Sequence, residues 1–324
     1  PRSRGLGDVY KRQRNAAFFG LGLCQQLNEP VAIACTSGTA VSNYLTGVTE
    51  AYYSHAPLLV ITCDRSPYTL HQLETQKIDQ LAVFTGVVKK SVSLPVIKDA
   101  DDIWYCQRLL NEAFISLKQH QSGPVHINIH LVGDTNALWN ESAKKLRNVQ
   151  ARKINYVSVD DTEMWQRMAK ILSGKKRIII VMGQDCSGDE NLHQALIQYC
   201  SYTQVPILLD NLSNFRCSQM VWAEPVIKAL NANSIEEMLP EVVITFGNNF
   251  QERIKDLLKA HQGKFEHWSI DQEGVVRDVF KSQTALFECK PAYFFNYFTK
   301  NVIPTDGTSV SYTHIRAHET EADL

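Results

Sequence analysis

The sequence predicts an α/β protein of two successive parallel-sheet domains, and three observations carry that reading. Short apolar runs rich in β-branched residues recur: VAIAC at Val31–Cys35, PLLVIT at 57–62, RIIIVM at 177–182 and VVITF at Val242–Phe246. Such runs suit strands of a parallel sheet covered on both faces. Between them lie stretches whose apolar residues recur at helical spacing. From residue 137 to about 160 the composition turns polar and charged, which divides the alternation in two. A chain of 324 residues is long enough for a core on each side.

Taken in order, AAFFGLGLCQQL (16–27) reads as a helix, VAIAC as a strand, 40–54 as a helix and PLLVIT as a strand. A polar loop follows at 66–76. VVKKSVSL (87–94) reads as an edge strand because its middle is charged. IWYCQRLLNEAFISL (103–117) has helical periodicity, Gly123-Pro124 marks a turn, and VHINI (125–129) alternates like a strand. The second half repeats the pattern: helices at 164–172, 192–202, up to 238, and 254–260, with strands at 177–182, 206–210, 242–246 and a last one, EHWSID, at 266–271. Gly183 and Gly247 end two of these strands, as in nucleotide-binding folds. Neither lies in a GxGxxG, so a tight βα turn explains them as well.

Residues 30–65, EPVAIACTSGTAVSNYLTGVTEAYYSHAPLLVITCDR, hold the chemistry. Thr36-Ser37-Gly38-Thr39 breaks the first strand just before a helix. There, free backbone N–H groups, hydroxyls and a glycine can hold a polar ligand, or the tetrad can simply cap the helix. Cys63-Asp64-Arg65 lies at the C-terminal end of the next strand, the edge at which open α/β sheets bind ligands. Arg65 suits bidentate capture of a carboxylate; its alternative is a surface ion pair with Asp64 or Glu74.

Composition excludes other classes. Apolar residues make up 44% and charged residues 21%, and the net charge of −1 gives no general attraction to nucleic acid or an anionic membrane. The Lys/Arg cluster at 144–153 reads as part of a solvated linker. No apolar run is long enough to span a bilayer, and the expectation is a cytoplasmic protein. Eight cysteines occur without a CxxC pair, which points to free thiols in a reducing compartment and not to disulfides or zinc. Residues 1–13 and 309–324 lack the character of the rest and read as non-native tails.

The run from EPVAIACTSGTA to LLVITCDRSPY, the downstream ETQKIDQ (74–80) and GPVHINI together resemble the 2-succinyl-5-enolpyruvyl-6-hydroxy-3-cyclohexene-1-carboxylate synthase family, thiamine-diphosphate enzymes of menaquinone biosynthesis. The resemblance covers about residues 14–297. It implies two Rossmann-like domains: a truncated pyrimidine-binding domain (14–136) and, after a linker (137–160), a middle domain (161–304), with the C-terminal diphosphate-binding domain absent. It further implies a transferase that decarboxylates 2-oxoglutarate and adds the resulting carbanion to isochorismate, with Mg2+ (Mn2+ also expected) and a homodimer or larger assembly.

Position by position, the resemblance places Thr36, Ser37, Gly38, Thr39 and Asn43 on the pyrimidine side of the cofactor, and Arg65 and Gln76 on the substrate. Arg253 stands near a family Lys-Arg pair that binds substrate. The family's proton-relay glutamate falls at Gln13, whose amide has no carboxyl acid–base equilibrium. No GDG-type metal motif follows residue 297, so no catalytic or metal-ligating residue is assigned, and the expectation is an inactive fragment. Two other readings stay open. One is a thiamine enzyme of the acetolactate-synthase type, disfavoured by ETQKIDQ. The other is a non-catalytic nucleotide-binding α/β protein.

Overall fold

The computed structural model describes residues 12–131, 152–185, 188–209, 212–229 and 232–303. They fall into two compact units that divide between Arg152 and Lys153. The first unit carries helix α1 (Gln13–Leu27), strand β1 (Val31–Cys35), α2 (Thr39–Tyr53), β2 (Leu58–Asp64), a short α3 (Gln80–Val83), β3 (Lys90–Leu94), α4 (Ala100–Lys118) and β4 (Val125–His130). Its four strands lie in the order β1-β2-β4-β3, every pairing parallel. The charged β3 is an edge strand, as expected.

Alternation along these strands sends side chains to two covered faces. On one, Leu58, Val60 and Ile33 meet Ala17, Leu21 and Cys24 of α1 and Val41, Tyr44 and Val48 of α2. On the other, Val92, Val125 and Ile127 meet Leu109, Ala113 and Leu117 of α4. The ends of α4 are set by Asp99, whose carboxylate caps Asp102 N–H, and by Lys118 in the last turn.

The second unit comprises β5 (Asn155–Ser158), α5 (Thr162–Ser173), β6 (Ile178–Met182), α6 (Glu190–Thr203), β7 (Ile207–Leu209), β8 (Met220–Trp222), α7 (Ala223–Ala229), α8 (Ala232–Met238), β9 (Val242–Phe246), α9 (Glu252–Ala260), β10 (Glu266–Ile270), β11 (Gln283–Glu288) and α10 (Pro291–Asn301). Its sheet runs β5-β11-β10-β9-β6-β7-β8, again all parallel. Trp165 of α5 anchors one face: its ring lies 4.8–5.8 Å from Phe287, Tyr293, Tyr297 and Phe298, and its indole N–H donates to the Ser158 carbonyl. Ile254 and Leu258 of α9 cover the other face.

Two differences from the sequence reading stand out. The polar stretch read as a linker to residue 160 contains β5, which pairs with β11, so the second unit begins earlier. EHWSI is not the last strand: β11 and α10 follow it. Gly183 and Gly247 mark tight turns, as the sequence reading favoured, and the turns interlock: a Cβ on Gly183 would run into the Asn248 carbonyl oxygen, and Gly247 has φ +87°. The tail readings fall largely outside the described residues, although Gln13 is the first residue of α1. No described helix is long and apolar enough to cross a membrane.

Candidate functional site

The TSGT turn closes the C-terminal end of β1. Gly38 is the N-cap of α2 at φ +73°, and its carbonyl accepts the Val41 N–H at 3.0 Å. No side chain caps this helix, so the hydroxyls of Thr36, Ser37 and Thr39 are not spent on capping. Ser37 is buried, Thr36 and Thr39 are exposed, and the Asn43 amide turns back to the Thr39 carbonyl at 3.0 Å. A groove of about 470 Å3 runs along α1 and β1, with Gln13 and Phe19 on one side and Cys35, Thr36 and Tyr44 on the other. Gln13 and Thr36, the first residue of the turn, therefore face one space.

The second strand of the motif supplies the rest. Gln76, itself left-handed at φ 57°, presses on the turn: a Cβ at position 38 would lie 2.7 Å from both its Cβ and its carbonyl oxygen. Only glycine fits there without displacing backbone. Arg65 projects from the end of β2, half exposed, and pairs with Glu74 at 3.2 Å. That is the surface ion pair anticipated as the alternative. An exposed pair of this kind is worth about 0–1 kcal/mol, so the guanidinium exchanges partners at little cost. Asp64 pairs elsewhere, with Lys77 at 2.8 Å, both side chains at most 5% exposed. Arg253 stands exposed on α9 of the second unit.

Beneath the loop lies a polar stripe to which the sequence reading gave no role. Thr62 and Asp64 of β2, His126, Asn128 and His130 of β4, and Ser91 and Ser93 of β3 are joined by hydrogen bonds on the face that carries Leu58 and Val60. Gln80 covers it from α3. The signal was present in VHINIH, where polar residues alternate with apolar ones inside a strand buried on both faces. Burial pushes His126 down to about 4, so the ring is neutral at pH 7. Burial, with Cys63 nearby, raises the Cys35 thiol to about 12, and all seven described cysteines are free. Among the described residues no group of three or more His, Cys, Asp and Glu side chains is placed to hold a metal ion.

Residues 9–83, which include the strand-turn-helix cradle at the C-terminal edge of this parallel sheet, match the family model described as thiamine pyrophosphate enzyme, N-terminal TPP binding domain, so over that segment the chain is similar to thiamine-diphosphate enzymes. That match starts inside the segment read as a non-native tail. At a finer level the chain resembles curated 2-succinyl-5-enolpyruvyl-6-hydroxy-3-cyclohexene-1-carboxylate synthases. It is 33% identical to that of Bacteroides fragilis over 93% of this chain and 53% of the relative. For Bacteroides thetaiotaomicron the figures are 34%, 87% and 50%, and for Desulfotalea psychrophila 32%, 91% and 55%. The chain spans about half the length of the curated relatives it matches.

Proposed function

We propose that this chain carries the pyrimidine-binding and middle domains of a menaquinone-pathway synthase that decarboxylates 2-oxoglutarate and adds the product carbanion to isochorismate. The observation that carries the reading is the seating of Gln76 against Gly38, which puts the motif assigned to the cofactor and the motif assigned to substrate in direct contact. Thr36, Ser37, Gly38, Thr39 and Asn43 line the pyrimidine side of thiamine diphosphate. Arg65 exchanges Glu74 for a substrate carboxylate, its fork making two charge-assisted bonds, and the Gln76 amide donates to and accepts from the same substrate. Arg253 contributes a further cation. When bound, thiamine diphosphate supplies the carbon nucleophile and electron sink. Gln13, where the family has its proton-relay glutamate, holds no exchangeable carboxyl proton. A complete synthase would work in the cytoplasm as a homodimer or larger, with Mg2+ as a second cofactor.

The test is an NMR titration of the chain with thiamine diphosphate and 2-oxoglutarate at millimolar concentration. Amide shifts at Gly38, Thr39, Arg65 and Gln76, lost for 2-oxoglutarate in Arg65→Ala, are the expected result. No shift at any of the four, for either ligand, overturns the assignment. Product formation from isochorismate and 2-oxoglutarate is expected to be absent for this chain alone, and turnover by it would refute the reading of Gln13.

A further inference from the structure

We infer that Gln80 and Asn128 are positioning residues which hold the TSGT turn and the Arg65 segment in one fixed register. The bonds run without a break. The Gly38 N–H donates to Gln80 Oε1 at 3.1 Å, and Gln80 Nε2 donates to Asn128 Oδ1 at 2.7 Å. Asn128 Nδ2 donates to Asp64 Oδ2 at 3.4 Å, and Asp64 Oδ1 accepts both the Arg65 N–H at 2.7 Å and Lys77 Nζ at 2.8 Å. Lys77 Nζ also donates to the Arg65 carbonyl at 3.0 Å, which clasps that residue's backbone from both sides. Gln80 and Asn128 are each 2% exposed and Asp64 5%.

Placement and chemistry argue that this relay is more than core filling. Along β2 the same face carries Leu58 and Val60 first, then Thr62 and Asp64, so apolar packing gives way to hydrogen bonding only near the strand's C-terminal end. Buried polar groups gain little net stability over an apolar core, and each is costly when its partner is lost. What a satisfied network supplies is a single arrangement. Here that arrangement ties the turn assigned to the cofactor to the backbone of the arginine assigned to the carboxylate, while the arginine's side chain stays free to change partners. The Gly38–Gln76 contact adds a steric stop between the same two segments.

The inference rests on the proposed roles of the two ends, so its test is one that needs no ligand. Residue-resolved amide hydrogen exchange on the whole chain reads the relay directly. In Gln80→Met, exchange is expected to rise about tenfold or more at Gly38 and also at Arg65, which Gln80 does not touch, the factor that losing about one net hydrogen bond implies. Amides of Ile33, Val60 and Ile127 should rise much less. Lys77→Met works from the opposite end, and remains informative if Gln80→Met fails to fold: exchange at Arg65 and at Gly38 should rise together. A uniform rise through β1, β2 and β4, or a rise confined to the direct partner in each variant, overturns the inference. If the relay holds but the ligand titration shows no shifts, the proposed function fails and the positioning claim stands only for the fold.

Discussion

His126 provides a sharp test of how the buried stripe is held together. Thr62 Oγ1 donates its proton to Asn128 Oδ1 at 2.7 Å, so toward His126 Nε2, 2.8 Å away, it must accept. That fixes the neutral ring with its proton on Nε2, while Nδ1 accepts from Ser91 Oγ at 2.8 Å. Protonation would charge a fully buried ring and take away the acceptor that Ser91 uses. Burial therefore lowers the folded-state value to about 4 from 6.5. Between those values the unfolded chain binds more protons than the folded one, so stability rises with pH across this window and is lost as pH falls from 6.5 toward 4. At 1.36 kcal/mol per unit, the loss amounts to about 3 kcal/mol at the acid end. The assay is the opening free energy of Val60 and Ile127 amides, from hydrogen exchange at a series of pH values, in wild type and His126→Asn. The variant starts less stable but should lack the His-dependent loss, so the gap between the two narrows by about 3 kcal/mol from pH 7 to pH 4. Parallel pH curves, or a Cε1 signal of His126 itself titrating near 6.5, would refute the reasoning.

Further outcomes follow from the same geometry. Lys77→Met leaves the Asp64 carboxylate buried without its cation and should cost about 3–5 kcal/mol in denaturant unfolding of the first unit, whereas Glu74→Gln, which breaks only the exposed pair with Arg65, should stay within about 1 kcal/mol. Gly38→Ala forces a Cβ to 2.7 Å from Gln76 at φ +73°, and a loss of about 1–3 kcal/mol by the same measurement is expected; an unchanged midpoint would show that the turn is soft. Calorimetric titration with 2-oxoglutarate should rank wild type above Arg65→Lys and Arg65→Lys above Arg65→Ala, with melting temperature nearly constant, because the fork and the charge are lost in turn. Trp165→Ala should destabilise the second unit by about 3–5 kcal/mol, read as lost protection of the Val157 and Phe287 amides.

Much of the fold was legible because apolar β-branched runs leave a plain trace: LLVIT and VVITF lie inside their sheets, and VVITF is buried on both faces, whereas VAIAC, expected to be covered on both faces, is an edge strand with Ala32 and Ala34 exposed. The elements that escaped were those with weaker traces. NYVS is a four-residue strand after a charged stretch, and among the described residues it pairs only with a segment far along the chain. PAYFFNYFTKN is rich in aromatics, which favour strands by local preference, and it is helical because Pro291 starts it and Phe294, Phe295 and Phe298 fall on one buried side. Of the site, the TSGT turn, Arg65 and Gln76 were readable as motifs. Their joining was not: a glutamine 42 positions from Gly38 becomes its hydrogen-bond partner only when α3 folds over β4.

The all-parallel second sheet also dictates an order of events on the ribosome. Parallel neighbours cannot be joined by hairpins, so each strand waits for a partner made much later. The extreme case is β5, whose Asn155 pairs with Ala285, 130 residues downstream. At bacterial or eukaryotic elongation speeds of about 5–20 residues per second, β5 emerges roughly 6–26 s before β11 exists. During that interval Val157, which ends up fully buried, and the Trp165 helix behind it have lost none of their exposure to β11. The second sheet therefore cannot close around β5 until Glu288 has cleared the exit tunnel, and slowing translation between residues 160 and 283 should lower soluble yield more than slowing it after residue 300.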